Sequence, residues 1–293
     1  MYVATLLVNP ATPALDAATI EALRSAWGGG EAVWLNPGIA AEFSLPTIPD
    51  NRWQVWADLQ PRGIDLAVQP AENRRKRMLL ADMDSTMIAQ ECIDELADEA
   101  GVGAHVAAIT ARAMNGELDF EAALRERVAL LRGLAEGVIG HVVARRITYT
   151  PGGRELVATM QANGGYAALV SGGFTAFTSH VARALCFDEH RANLLDIADG
   201  TLTGTVAEPI LGREAKVTAL DEITARLGIT PADVIAVGDG ANDLGMLARA
   251  GAGVALHAKP VVAAQCDLRI NHGDLTALLY LQGYSAAEFA PIS

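Results

Sequence analysis

The chain has 293 residues, 51% of them hydrophobic and 19% charged, with 22 Lys plus Arg against 35 Asp plus Glu. This is a globular composition with enough chain for about two domains, and it excludes disorder and collagen-like repeats. A net charge of −13 speaks against nucleic acid or an anionic membrane as a partner, because both bind through clustered Lys and Arg. On the charge balance alone, an anionic substrate is disfavoured too.

In chain order, residues 2–8 read as a strand, 15–27 as a helix, 31–35 and 42–45 as strands, 51–60 as a helix and 64–69 as a strand. This βαββαβ order over residues 1–72 suits a small ferredoxin-like α+β sandwich. It resembles the amino-acid-binding ACT modules in element order alone, since the turn NPATPAL lacks the Pro-Gly step such modules place near a ligand. An interaction role, as in a homodimer, is the expectation for this segment. Trp27, Trp34, Trp53 and Trp56 all lie within it, which argues for a core of its own. The basic run NRRKRM at 73–78 reads as a solvated lead-in to the next strand, with nothing aromatic or basic nearby to extend it.

From Met78 onward the apolar runs MLLADMD, YAALVSGG, VIAVGDG and GAGVALHA alternate with helical stretches. Short continuous apolar runs are the pattern of parallel strands covered on both faces, so residues 77–87 and 148–293 are expected to form a doubly wound, Rossmann-like α/β sheet. Residues 88–147 carry helical patterns only. Ile88, Cys92, Leu96 and Ala100 share one face at i, i+4 spacing, and residues 120–131 form a second amphipathic stretch. A helical insertion directly after the first strand of the sheet is expected to cap an active site.

Cys92, Cys186 and Cys266 lie far apart with no paired spacing, which indicates reduced thiols rather than a disulfide framework or zinc cage. No basic leader or membrane-length apolar run is present, so the expected location is the cytoplasm.

In open α/β sheets ligands sit beyond the carboxyl ends of the strands. Those positions hold Asp82, Asp84, Ser85 and Thr86 after the first run, Ser171, Gly172 and Gly173 after the second, and Asp239, Asn242 and Asp243 after the third. Carboxylates gathered without His or Cys are hard oxygen ligands, and Mg²⁺ would relieve their repulsion. Gly238, Gly240 and position 243 also have the spacing of a dinucleotide GxGxxG motif. Aspartates at 239 and 243 would repel a pyrophosphate, which sets that reading aside.

DMDST, SGGF, the lysine of GREAK (Lys216) and GDGAND, in that order, resemble the four motifs of the haloacid dehalogenase superfamily. The stretches MNGELDFEAALRERVALLRGL, VSGGF and AVGDGANDLGML resemble in particular its phosphoserine phosphatase branch. That resemblance spans about Lys76 to Asp274. It implies hydrolysis of O-phospho-L-serine to L-serine and phosphate, the last step of serine biosynthesis, through an aspartyl phosphate. Asp82 would be the nucleophile and Asp84 the proton donor and base. Mg²⁺ would be held by Asp82, the Asp84 backbone carbonyl and Asp239, with Asp243 behind them. Ser171, Gly172, Asn242 and Lys216 would meet the phosphate. Glu91, placed on the first cap helix, and Arg127 would read the substrate's ammonium and carboxylate, with Met114 and Phe120 as walls. Two other readings remain open on sequence: the same chemistry on another small phosphomonoester or onto an alcohol acceptor, and a non-catalytic amino-acid sensor.

Overall fold

The computed structural model describes residues 1–292. Strands β1 (Tyr2–Val8), β2 (Ala32–Asn36), β3 (Ala40–Leu45) and β4 (Ile64–Pro70) form an antiparallel sheet of order β2-β3-β1-β4, with helices α1 (Ala17–Ala26) and α2 (Arg52–Leu59). Helix α1 starts where the Asp16 carboxylate accepts the Thr19 N–H at 2.7 Å. Strand β1 shows no polar alternation because both of its faces are covered. Ala4, Leu6 and Val8 pack with Ile20, Phe43 and Leu59 in the amino-terminal core, whereas Leu7 joins Leu35, Ala40 and Ala67 in the core of the larger unit.

That larger unit begins with β5 (Met78–Ala81), followed by α3 (Cys92–Glu99), α4 (Gly103–Met114), α5 (Phe120–Ala129) and α6 (Gly137–Arg145). Then come α7 (Gly153–Ala162), β6 (Tyr166–Phe174), α8 (Thr175–Leu185), β7 (Glu189–Asn193), β8 (Leu195–Ala198), β9 (Thr201–Val206) and α9 (Arg213–Leu227). The chain closes with β10 (Val234–Gly238), α10 (Leu244–Arg249), β11 (Ala252–Leu256), α11 (Pro260–Ala263), β12 (Leu268–Ile270) and α12 (Ala277–Leu281). Six of these strands form one parallel sheet of order β12-β11-β10-β5-β6-β7. Alternate residues of β5 feed opposite cores: Met78 and Leu80 pack with Leu220 and Ile223 of α9, Leu79 and Ala81 with the layer that contains Leu156 and Phe177. The strand order reverses at β5, between β6 and β10, and a crevice opens there.

Several elements depart from the sequence expectation. The first helix after β5 starts at Cys92, not at Ile88. Ile88 instead pairs with Tyr149, and the two chain crossings are zipped by Ala89 N–H to Thr148 O and Thr150 N–H to Met87 O, both at 3.0 Å. Strands β7 and β12 and the hairpin β8–β9 were not expected. The basic run is also more than a solvated lead-in. Arg74 grips both carboxylate oxygens of Glu42 at 2.7 and 3.0 Å, and Arg75 lies over the Tyr284 ring at 4.1 Å, so the run helps join the two units. The three cysteines are free thiols, and among the described residues no helix is long and apolar enough to cross a membrane.

Candidate active site

Strand β5 ends in an irregular turn. The Asp82 N–H still reaches Val237 O of β10 at 3.0 Å, after which the chain folds over itself with Ser85 at φ 53°. This turn separates the two aspartates that an extended strand would have pointed the same way. The Asp82 Oδ1 atom accepts the Met83 N–H at 2.8 Å and lies 2.7 Å from Lys216 Nζ. Its other oxygen makes no hydrogen bond to a described residue, and Asp82 lines the crevice. The Asp84 Oδ1 atom accepts the Cys92 N–H at 3.2 Å, leaving Oδ2 against Gly173.

Lys216 enters from the first turn of α9 and is fully buried. Its ammonium bridges Asp82 and Asp243, at 2.7 and 2.6 Å. Burial works against this charge, but the two carboxylates outweigh it and hold the lysine pKa above its ordinary range. Burial, then the neighbouring Asp243, pushes the Asp82 carboxyl up, against the pull of Lys216. Burial and the Glu91 charge raise Asp84 to about 7. Burial, Glu91 and Asp243 raise Asp239 to about 8.

Oxygens of Asp82, Asp239 and Asp243 gather within 4.8 Å of one another. Their roles differ. Asp243 is saturated: Oδ1 meets Lys216, and Oδ2 accepts the N–H groups of Asp239 and Gly240 at 3.1 and 3.0 Å. Asp239 takes a long hydrogen bond from Thr86 on Oδ1, 3.3 Å, while its buried Oδ2 has no hydrogen-bond partner among the described residues and only the half-exposed Lys259 ammonium 3.6 Å away. A buried carboxylate oxygen left without a donor is costly, and a hard dication between Asp82 and Asp239 would satisfy it. The donor set therefore fits a divalent cation, with Asp243 bracing the loop rather than binding first.

The opposite wall is Ser171–Gly173 at the end of β6. The Ser171 Oγ atom accepts the Gly173 N–H at 2.9 Å, so its own hydrogen remains free to donate. Asn193, which the sequence reading missed, fastens this segment: its amide donates to Gly172 O at 2.8 Å and to Leu211 O at 3.2 Å. Asn242 lies across from Gly172 with its Oδ1 buried and unpartnered.

From the cap, Phe120 stands so close over Gly172 that a Cβ there would come within 2.6 Å of its ring, and Met114 Sδ would be 2.9 Å from a Cβ at Gly240. Glycine at both positions lets α4 and α5 settle on the core without moving Phe120 or Met114 aside. Glu91 is not on the first cap helix but is the residue just before it. Its Oε1 accepts the Ser85 hydroxyl at 2.7 Å. Arg127 is buried on α5. The residues given a catalytic, metal or substrate role from sequence, except Lys216 and Asp243, line one cavity of about 30 Å³, and those two join Asp82 through the Lys216 ammonium. Ser85 and Thr86 were placed at the strand end without a role, and Thr110 and Asn193 were missed, because single hydroxyls and amides carry no spacing signal.

Comparison with known proteins accords with this geometry. A model of the haloacid dehalogenase-like hydrolases matches residues 79–248, the stretch from β5 into α10. The phosphoserine phosphatase of Archaeoglobus fulgidus is 44% identical over 218 residues, 74% of this chain and 63% of that protein. The chain thus spans somewhat under two-thirds of that relative's length. A structure described as a phospho-aspartyl intermediate analogue of phosphoserine phosphatase is 40% identical, with a TM-score of 0.68, and covers 70% of this chain and 98% of its own. The likeness extends to the amino-terminal sheet in a hydrolase of this family from Salmonella enterica serovar Typhi, 31% identical with a TM-score of 0.83 over 96% of this chain and 98% of that one. With more than half of its length matched and a buried aspartate beside a lysine at the reversal of its sheet, the chain belongs to the haloacid dehalogenase-like hydrolases.

Proposed function

We propose that the chain hydrolyses O-phospho-L-serine to L-serine and phosphate, the reaction that ends serine biosynthesis. The observation that carries this reading is the pair of opposite charges on the cap side of the crevice. Glu91 and Arg127 face a cavity whose floor is Asp82, giving one acid for an ammonium and one planar cation for a carboxylate. The relatives named for this activity support it.

The free Asp82 Oδ2 attacks phosphorus, the bond from phosphorus to the seryl oxygen breaks, and Asp84 Oδ2 gives its proton to that oxygen. Serine leaves and an aspartyl phosphate remains. Asp84, now a carboxylate, takes a proton from water as the water oxygen attacks phosphorus, and Asp82 is restored as phosphate departs. Lys216 keeps Oδ1 fixed and offsets charge on the phosphoryl oxygens, which the Ser171 hydroxyl, the Gly172 N–H and Asn242 would also meet. Mg²⁺, held by Asp82, Asp239 and the Asp84 carbonyl, supplies further charge neutralisation when bound. A net charge of −13 is no obstacle, since local cations rather than the overall balance meet the substrate.

A cavity of about 30 Å³ is water-sized, so the cap must open to admit phosphoserine. In this reading residues 88–147 are the cap, 77–87 and 148–293 the catalytic core, and 1–72 a ferredoxin-like, ACT-like unit. The order β2-β3-β1-β4 supports that last assignment. Exposed Val33 and Trp34 on edge strand β2 support a homodimer contact there. The free thiols agree with a cytoplasmic location.

The test is phosphate release from phosphoserine with and without Mg²⁺, beside an Asp82→Asn variant. Equal release by both proteins would remove the nucleophile assignment. Arg127→Ala should cost roughly 1.5–3 kcal/mol of transition-state stabilisation for phosphoserine.

A further inference from the structure

Arg127 is 2% exposed, and a guanidinium does not shed its charge on burial. Two of its five N–H groups are engaged within the protein. Nε donates to Ala123 O on its own helix at 3.0 Å, and Nη1 donates to Thr110 Oγ1 on α4 at 3.0 Å. Nη2 makes no hydrogen bond to a described residue, and the side chain lines the cavity. Thr110 is itself buried, and its hydroxyl is 2.6 Å from Asp94 Oδ1 on α3. That hydroxyl has one hydrogen. By giving it to the Asp94 carboxylate, with Val106 O as a longer alternative at 3.1 Å, it turns a lone pair toward Arg127. A carboxylate, a hydroxyl and a guanidinium thus join three cap helices in a chain of hydrogen bonds that polarise one another.

An arginine side chain has many rotamers, and a bidentate contact with a carboxylate tolerates little misplacement. Ala123 O fixes only the Nε edge, so the orientation of the guanidinium about that edge depends on Thr110. We propose that Thr110 and Asp94 are positioning residues that hold the free edge of Arg127 toward the cavity and so set the preference for phosphomonoesters carrying a carboxylate. This inference rests on the reading of Arg127 as the carboxylate partner. Neither residue touches the substrate in this scheme; both act through Arg127.

The test compares kcat and KM on phosphoserine and on phosphoethanolamine, which keeps the phosphate and ammonium but has no carboxylate. The proteins are the full-length wild type, Thr110→Val, Thr110→Ser and Asp94→Asn. Thr110→Val preserves shape and removes the hydroxyl. It should lower kcat/KM for phosphoserine roughly 5–10-fold, mostly through KM, with a far smaller change on phosphoethanolamine. Thr110→Ser should restore the wild-type ratio, and Asp94→Asn should shift it in the same direction as Thr110→Val by a smaller factor. A wild type that does not distinguish the two substrates overturns the Arg127 reading and the inference with it. If the wild type discriminates and Thr110→Val keeps the same ratio, the positioning role alone is overturned. Equal losses on both substrates mark a merely structural role and also overturn it.

Discussion

Lys216 Nζ lies 2.6 Å from Asp243 Oδ1, with neither side chain exposed to solvent, and the same ammonium reaches Asp82. The lysine therefore serves two ends at once. It holds Oδ1 of Asp82, the proposed nucleophile, and it neutralises the carboxylate that braces the loop carrying Asp239. Removing one member of a buried ion pair leaves the other charge uncompensated, at a cost of about 3–5 kcal/mol. Lys216→Met should lose most of that stability in urea unfolding and should release no phosphate above an Asp82→Asn background. A variant with wild-type unfolding would show that the pair is not a structural element.

The Asp84 carboxyl, raised by burial and by Glu91 to about 7, gives a pH prediction of definite sign. In the proposed reaction the leaving seryl oxygen takes its proton from Asp84, so kcat should fall as the pH rises through the pKa of that carboxyl, and Asp84→Asn should lose roughly 10²–10⁴-fold. Linkage gives a second readout. Because the folded pKa lies above the unfolded value of 3.8, this group's contribution to stability is fully present below that value and is lost as the pH rises through about 7. Unfolding free energies measured at pH 5 and pH 8 should differ less in Asp84→Asn than in the wild type. Parallel slopes for the two proteins would contradict the raised value.

Much of this architecture was legible in the residues, for a physical reason. Strands β5, β6, β10 and β11 are covered on both faces, so they appear as unbroken apolar runs, and the aspartates and glycines that end them fall at the crevice. Edge strand β7, EHRAN, is polar along most of its length and reads as loop. The hairpin β8–β9 did carry a usable signal. Asp199-Gly200, with φ values of 49° and 72°, is the dipeptide expected of a two-residue hairpin turn. At the site, the aspartates and glycines that end the strands stood out because turns at strand ends impose spacing, whereas Lys216, Glu91, Arg127, Met114 and Phe120 were reached through the family resemblance. Thr110, Asp94 and Asn193 act only through contacts between distant elements, which no local pattern encodes.

Gly173 offers a test of how tightly the acid is held. A Cβ at this position would stand 2.6 Å from Asp84 Oδ2 and 3.1 Å from Ser171 Oγ. Gly173→Ala should displace the Asp84 carboxyl by a fraction of an ångström or more while leaving the sheet intact. Misplacement on that scale costs up to about 10²-fold in rate. The expected outcome is a lowered kcat with an unfolding midpoint near that of the wild type. Unchanged turnover would mean that Asp84 can relocate without loss.

Asp65 on β4 should control how the amino-terminal sheet is seated. It is completely buried, and its two oxygens accept the backbone N–H groups of Asn271, His272 and Gly273 at 2.8, 2.9 and 2.8 Å, in the segment that follows β12. Close by, Arg269 of β12 stacks on Trp53 of α2 with its guanidinium carbon 3.9 Å from the ring centre. Asp65→Asn keeps one acceptor oxygen and turns an amide donor toward N–H groups, leaving buried donors unpaired at about 1–3 kcal/mol each. Since all four tryptophans lie in the first 56 residues, fluorescence reports on this joint directly. The variant should show a shifted tryptophan emission and a lower urea midpoint for the fluorescence transition. If fluorescence and midpoint both match the wild type, the two units are held together by other contacts, and the carboxylate is dispensable.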